Sequence, residues 1–295
     1  MAIAGLPIGQ CARAEDATAA AAAPSAERGA YVLAAAGCVE CHTDKKNKGA
    51  LLSGGRALAT PFGTFFSPNI TPDPATGIGK WSNTDFRRAI RDGVGPKGAH
   101  FYPVFPYPSF TLMTDTDIAD LFAYLKTVPA VTKPNTPRKV AFPYNVRVLM
   151  VVWNWLYLRR GPYEPNPEKS AAWNRGAYLV QALGHCGECH TPRTRLGALD
   201  GDMTLAGTED GPDGDHVPNL TPDKETGIGK WALEDITFAL QTGLTPGGDS
   251  LGASMGEVVS ESTGKLSADD RMAIAVYLQS LPPIHHRVAK SKPKS

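Results

Sequence analysis

The sequence predicts an all-α protein made of two tandem copies of one helical domain with long loops. Three observations predict it. The first is that the two halves repeat the same segments in the same order. "RGAYVLAAAGCVECHTD" (28–44) matches "RGAYLVQALGHCGECHTP" (175–192), with one residue inserted before the second cysteine pair. "PNITPDPATGIGKW" (68–81) matches "PNLTPDKETGIGKW" (218–231), and "DIADLFAYLKTVP" (117–129) matches "DRMAIAVYLQSLP" (270–282). The second is that helical periodicity and helix-boundary signals recur, while no run alternates well enough to predict a sheet. The third is the 30 glycines and 25 prolines, which hand much of the chain to loops.

Taken in order, residues 1–25 read as the remnant of an export signal and a flexible leader. Ala12-Arg13-Ala14 before Glu15 has the form of a small-residue cleavage site. Acylation of Cys11 is a weaker alternative, because Gln10 precedes it. The first domain spans 26–135. An Ala-rich helix runs into Cys38, loops follow, and "SNTDFRRAIRDGV" after Trp81 forms a short helix ending near Gly93. A closing helix starts at Thr114, with Asp117 at capping-box spacing, and stops by Pro129.

A connector spans 136–170. Its segment "FPYNVRVLMVVWNWLYLRRGPYEPNPEKS" (142–170) predicts a short aromatic helix packed across both domains, with a Pro-rich extended strap behind it. Contact with a membrane surface is the alternative, since Trp153, Trp155 and Tyr157 are flanked by Arg159 and Arg160. The second domain, 171–284, repeats the first: a helix into Cys186, "ALEDITFALQTGL" ending near Gly243, and a closing helix from Ser267 with Asp270, stopped by Pro282. Residues 285–295 form a basic tail.

The charge balance excludes some function classes. Thirty basic against 29 acidic residues give a net charge of +1, without the basic excess that nucleic-acid binding needs. No apolar run reaches the ~18–20 residues that span a bilayer.

Four of the five cysteines lie in two C-x-x-C-H cassettes, Cys38-Cys41-His42 and Cys186-Cys189-His190. Two thiols at this separation can add across the two vinyl groups of one haem, and the adjacent histidine then lies under the ring and supplies a nitrogen to the iron. A zinc site would need two further ligands at compatible spacing, which the halves do not offer in common. A dithiol catalyst would not need the histidine at this place twice. The sequence therefore predicts two covalently bound haem c groups. Covalent attachment outside the cytoplasm agrees with export.

The sixth iron ligand separates electron transfer from catalysis, because a methionine there raises the potential and keeps substrates off the metal. Met255, in "GGDSLGASMGEVVSESTGKLS", is the candidate in the second domain. Counting from Gly93 and Gly243 puts Phe105 opposite Met255, and phenylalanine cannot ligate. Met113 in "FPYPSFTLMTDTD" is the expected replacement, against a role as a hydrophobic staple before the N-cap. His100 and Met150 compete with it. His185 is expected at a haem edge or in solvent, and His216, His285 and His286 in solvent. Trp81, Trp231, Asn69 and Asn219 recur in both halves, either for packing or as partners of the haem propionates.

The combination of "RGAYLVQALGHCGECHTPR", "PNLTPDKETGIGKW", "HFYPVFPYPSF" and the "WNW" connector resembles the cytochrome c subunits of bacterial membrane-associated dehydrogenases. These are partners of alcohol, gluconate and sorbitol dehydrogenases and related cytochromes accompanying molybdenum hydroxylases. The resemblance covers about residues 26 to 284. It implies two cytochrome c domains, a periplasmic location with association at the inner membrane surface, and a place in a respiratory chain. The implied partners are a dehydrogenase catalytic subunit and a downstream cytochrome, quinone or oxidase. Many members carry three cassettes and an amphipathic C-terminal anchor, where this chain has two cassettes and a basic tail. Many also carry methionine where this chain has Phe105. The implied activity is electron transfer without bond chemistry. The alternative is a dihaem enzyme, such as a peroxidase or thiosulfate dehydrogenase, with a reactive iron at the first haem.

Overall fold

The computed structural model describes residues 23–211 and 214–289. The leader reading of residues 1–22, Cys11 included, lies outside the described residues, as does the tail beyond 289.

Helix α1 (Ala26–Ala35) begins where the Ser25 hydroxyl accepts from the Arg28 N–H, and the chain turns at Gly37 into α2 (Cys38–His42), one turn carrying the first cassette. A hairpin follows, β1 (Ala57–Thr60) paired antiparallel with β2 (Gly63–Phe66). Helix α3 (Asn83–Asp92) opens with a capping box between Ser82 and Asp85 and stops at Gly93, whose φ of 62° ends it as expected. The single turn α4 (Tyr107–Phe110) leads to α5 (Asp115–Leu125), capped by the Thr114 hydroxyl. In the connector, β3 (Lys139–Val140) adds to β2, and α6 (Leu149–Tyr157) is the expected aromatic helix.

The second half repeats this plan. Helix α7 (Ala171–Tyr178) precedes the second cassette, and α8 (Gly187–His190) carries it. Between them a π-helical turn, Leu179–Leu183, takes up the extra residue inserted before Cys186. Then come α9 (Leu233–Thr242), ended by Gly243, α10 (Ala253–Glu261) and α11 (Ala268–Gln279), capped by Ser267.

In each half the first long helix lies across the last, α1 on α5 and α7 on α11. The repeated R-G-A-Y segment explains how closely. A Cβ on Gly29 would sit 1.9 Å from the Asp120 carbonyl oxygen, and one on Gly176 would sit 1.9 Å from that of Ala273. Only glycine admits this crossing.

The tyrosine two residues later works across the repeats. The Tyr31 hydroxyl donates to Asp270 Oδ2 at 2.6 Å and accepts from the Ser267 N–H at 3.1 Å, at the start of α11. Reciprocally, Tyr178 donates to Asp117 and accepts from the Thr114 N–H at 3.1 Å, at the start of α5. The expected capping boxes are therefore half formed. Each N-cap hydroxyl receives the Asp N–H, but the Asp carboxylate turns to a tyrosine of the other repeat. Each half thus caps the closing helix of the other.

The three-stranded sheet β1-β2-β3 corrects the expectation that no sheet forms. Among the described residues it forms from the first half's hairpin and one strand of the connector, and "ALATPFGTFF" is too short and too weakly alternating to announce itself. Its third strand ties the start of the connector to the first half.

Helix α6 is packed on one side and open on the other. Trp153 Nε1 donates to the Leu196 carbonyl at 2.9 Å, and Tyr107 donates to the buried Asn154 Oδ1 at 2.5 Å. Trp155 on the other side is 81% exposed, with Val148 and Val152 exposed beside it. Behind it runs the expected strap, pinned where the Tyr163 N–H donates to Leu112 O at 2.8 Å. No helix among the described residues is long and apolar enough to cross a membrane.

Candidate cofactor-binding site

Both cassettes open onto one continuous cavity of about 2180 Å³. That volume is well above the ~300–1,000 Å³ of a single small-ligand pocket.

Each cassette histidine is set by the repeated P-N-x-T-P motif. His42 Nδ1 lies 2.8 Å from the Pro68 carbonyl oxygen, and His190 Nδ1 lies 2.8 Å from that of Pro218. A carbonyl oxygen only accepts, so Nδ1 carries the hydrogen and Nε2 keeps its lone pair. Burial holds both rings neutral: it lowers the pKa of His42 and takes His190 down to about 4, in each case against the carbonyl bond. A neutral imidazole with a fixed tautomer is what a metal ligand requires.

The motif is itself held rigidly. Asn69 Oδ1 accepts from the N–H and hydroxyl of Thr71, and its Nδ2 donates to Thr76 and to the Val131 carbonyl. Asn219 repeats this with Thr221, Thr226 and the Ile284 carbonyl. Both asparagines therefore spend their polar atoms on the loop that presents the carbonyl. The loop after each cassette is tied alike, by Thr43 Oγ1 to the Leu52 N–H at 3.0 Å and by Thr191 Oγ1 to the Leu205 N–H at 2.9 Å.

The four cysteines are half-buried and form no disulfide. Burial pushes the thiols of Cys38 and Cys189 up to about 12, and those of Cys41 and Cys186 up to about 11. A redox dithiol depends on a depressed pKa, so the dithiol reading finds no support here. No group of three or more potential metal-binding side chains exists among the described residues, which counts against a zinc site of cysteine, histidine and carboxylate.

Side-chain bonds tie the two halves together around the cassettes. After burial and Glu188, the Cys41 thiol across the junction helps to raise Cys189. Glu188 accepts from Ser109 of the first half at 2.9 Å. On the other side, Arg56 donates to Glu257 of α10 at 2.7 Å and Lys45 to Glu261 at 2.5 Å. Glu40 is pushed up to about 7, by burial first and by Glu257 second.

Covalent haem fits these residues on a further observation. The Tyr102 hydroxyl and Arg138 Nε are buried without hydrogen-bond partners, and both residues line the cavity. Arg138 and Arg147 lie over the Tyr102 ring, with their guanidinium carbons 5.1 and 5.2 Å from its centroid. Strand β3 begins directly after Arg138 and anchors it there. These are unspent donors suited to the carboxylates that haem carries. The sequence signalled none of them, because Tyr102 and the two arginines lie far apart along the chain.

The two candidate methionine ligands lie differently with respect to the cavity. Met255, in the first turn of α10, lines it. Met113 does not: it is 0% exposed in the apolar core, outside the cavity wall. Its carbonyl accepts from Arg91 Nη2 at 2.7 Å, and it directly precedes the N-cap Thr114, as Leu266 precedes Ser267 in the second half. Met113 is a core residue for the same reason as its leucine counterpart. The structure does not bring Met113 to the cavity onto which the first cassette opens.

The other histidines divide. His100 bonds Asn154 through Nδ1 at 3.4 Å and does not line the cavity. His185 lines it and stacks edge-on against Phe110 at 5.2 Å. His285 lies 3.4 Å from Asp223, largely exposed. His286 is not solvated as expected: its N–H donates to Thr226 and its ring bonds the Ala206 carbonyl at 2.9 Å. His216 bonds the Ala289 carbonyl. Trp81 and Trp231 both line the cavity.

The profile of the family described as "Cytochrome c" matches residues 26–129. Among similar proteins, a nicotinate dehydrogenase subunit of Pseudomonas putida is 45% identical over 260 residues, 86% of this chain and 21% of that protein. A "Diheme cytochrome c-type" protein of Cereibacter sphaeroides is 42% identical over 267 residues, 88% of this chain and 86% of that protein. The fructose dehydrogenase cytochrome subunit of Gluconobacter japonicus is 38% identical over 261 residues, 88% of this chain and 53% of that protein. The chain thus spans about a fifth and about a half of two of these relatives and most of the third. With both cassettes, their fixed histidines and a matching cavity in place, the chain belongs to the cytochrome c family and is a relative of the haem c subunits of bacterial dehydrogenases.

Proposed function

We propose that the chain holds two haem c groups and passes electrons from a dehydrogenase catalytic subunit to a downstream cytochrome, quinone or oxidase in the periplasm. The observation that carries this reading is the continuous cavity onto which both cassettes open, each with its histidine held by a proline carbonyl at 2.8 Å. Residues 26–135 and 171–284 form the two tandem cytochrome c domains, joined by the connector.

Haem c supplies a reversible one-electron couple, whose potential depends on axial ligands and burial. The chain does the rest. Cys38, Cys41, Cys186 and Cys189 would fix the two groups, and His42 and His190 would present Nε2 to iron while the Pro68 and Pro218 carbonyls keep the protons on Nδ1. Met255, which lines the cavity, would supply the sixth ligand at the second cassette. At the first, the Tyr102 hydroxyl would donate to a haem carboxylate, and the Arg138 and Arg147 guanidiniums would offset its charge. The dehydrogenase partner rests on the relatives, several of which are cytochrome subunits of dehydrogenases.

Expression with a c-type maturation system tests the proposal. Two covalent haems per chain by pyridine haemochrome, both reduced reversibly, are expected. A matured chain with no Soret absorbance would sink it. A second reading, a dihaem enzyme with a reactive first iron, draws on Phe105 standing opposite Met255. Its signature is tight binding of cyanide or peroxide by one haem of the untreated protein.

A further inference from the structure

The distal side of the first cassette differs from that of the second in one structural respect. In the second half, α10 runs nine residues and carries Met255. The corresponding stretch of the first half forms only α4, four residues long, with Phe105 at the matching position just before it. What completes that wall is the connector helix α6.

Helix α6 and the residue ahead of it are fixed by three bonds to this loop and one to the second half. Arg147, just ahead of it, donates to the His100 carbonyl at 2.6 Å. Asn154 accepts from Tyr107 at 2.5 Å and contacts His100. Trp153 donates to the Leu196 carbonyl at 2.9 Å. In the first turn of α6, Met150 is partly buried and packs on the same apolar cluster as Phe101 and Phe105, around Tyr107 and Trp153. It lines the cavity. Among the described residues, Met150 and Met255 are the methionines that do so.

We infer that Met150 is the sixth ligand of the haem at the first cassette, supplied from the connector and not from the first domain itself. The assignment rests on the dihaem reading above. It requires only that the thioether sulfur donate a lone pair to iron, and no oxidant or reductant enters. A thioether at this point gives the first haem the same His/Met ligation as the second, although the domain's own position holds Phe105. Unbranched methionine suits the task, since its flexible side chain can reach from a helix that is itself held by Asn154 and Trp153.

The test uses the full-length matured protein and three variants, Met150→Leu, Met113→Leu and Met150→His. Haem count by pyridine haemochrome is read alongside the near-infrared charge-transfer band of Met-ligated ferric haem and the stoichiometry of carbon monoxide binding to the reduced protein. The expected results are two such centres in the parent protein, loss of half the band in Met150→Leu, and one new carbon monoxide site per chain. Met113→Leu should keep the whole band. In Met150→His, imidazole replaces the thioether, so half the band is lost, no carbon monoxide site opens, and one haem shifts to lower potential. The inference is overturned if either Met150 variant keeps the whole band, if Met113→Leu loses half, or if the parent shows one Met-ligated centre. Fewer than two haems in the parent breaks the dihaem reading instead. Should Met150→Leu fail to mature, the histidine variant and the parent spectrum still decide.

Discussion

The proximal sides of the two cassettes match residue for residue, and the distal sides do not. On the proximal side, histidine meets a proline carbonyl at 2.8 Å in both halves, and threonine ties the following loop to a buried leucine N–H in both. Asparagine locks the carbonyl-bearing turn with the same four bonds. On the distal side, one half has a nine-residue helix with Met255, and the other has a single turn backed by a helix from elsewhere in the chain. The difference teaches where duplicated machinery is free to diverge. A tautomer and a thioether spacing leave no slack, whereas a sulfur atom can arrive at iron from any element that reaches the cavity.

The largest effect expected on this comparison comes from the proximal side. Cys38→Ala with Cys41→Ala, and Cys186→Ala with Cys189→Ala, should each remove one covalent haem and leave the other, halving the pyridine haemochrome signal. Loss of both haems from one double variant would show that the halves do not mature independently.

The helix crossings come next. Gly29→Ala and Gly176→Ala each drive a methyl group to 1.9 Å from a carbonyl oxygen, so α1 must lift from α5, or α7 from α11. Overpacking of this kind costs ~1–3 kcal/mol or more. Thermal melting should show similar losses for both, and an unchanged midpoint in either would contradict the crossing.

The reciprocal tyrosines should then separate the halves. Tyr178→Phe removes the side-chain bond made to Asp117, at a cost of ~1.5–3 kcal/mol for a hydrogen bond to a charged group. Tyr31→Phe should cost less, because Asp270 keeps two bonds from Arg175, at 2.8 and 2.7 Å. Denaturant melts that reverse this order would refute the account of the two caps.

The smallest effect concerns pH. Asp73 is held near 2, below its ordinary 3.8, first by the Thr132 hydroxyl and then by Thr76. A folded pKa below the unfolded one gives stability that is present above about 3.8 and lost as pH falls through about 2. Asp73→Asn should flatten the acid side of the stability curve in that window. Asp223→Asn probes the second half, where Thr226 lowers the pKa first and His285 adds a smaller pull. If neither variant alters the acid limb, the P-N-x-T-P turns are not what acid dissolves.

Much of this is legible in the sequence because it is local. The cassettes, the helix stops at Gly93 and Gly243 and the N-caps at Thr114 and Ser267 each depend on residues a few positions apart. The inserted residue before Cys186 is visible too, though not that a π-helical turn absorbs it. What escapes depends on contacts between distant segments. Tyr31 and Asp270 lie 239 positions apart, and nothing in either neighbourhood announces their bond. Met113 misleads because nearness in sequence stands in for nearness in space, while its repeat counterpart Leu266 already marks the position as core. Met150 sits in a segment that reads as packing, and only the fold shows which wall that segment completes. Strand β3 escapes because two residues carry no pattern.

The exchanged tyrosines also have a consequence for synthesis. A chain emerges from its N-terminus, so the whole first half, with its cysteines, is made before Tyr178 exists. Until then the carboxylate of Asp117 has no hydroxyl to receive, and α5 starts with one N-cap bond in place of two. The start of α5 therefore stays unfinished until the chain has been made as far as Tyr178, well into the second half.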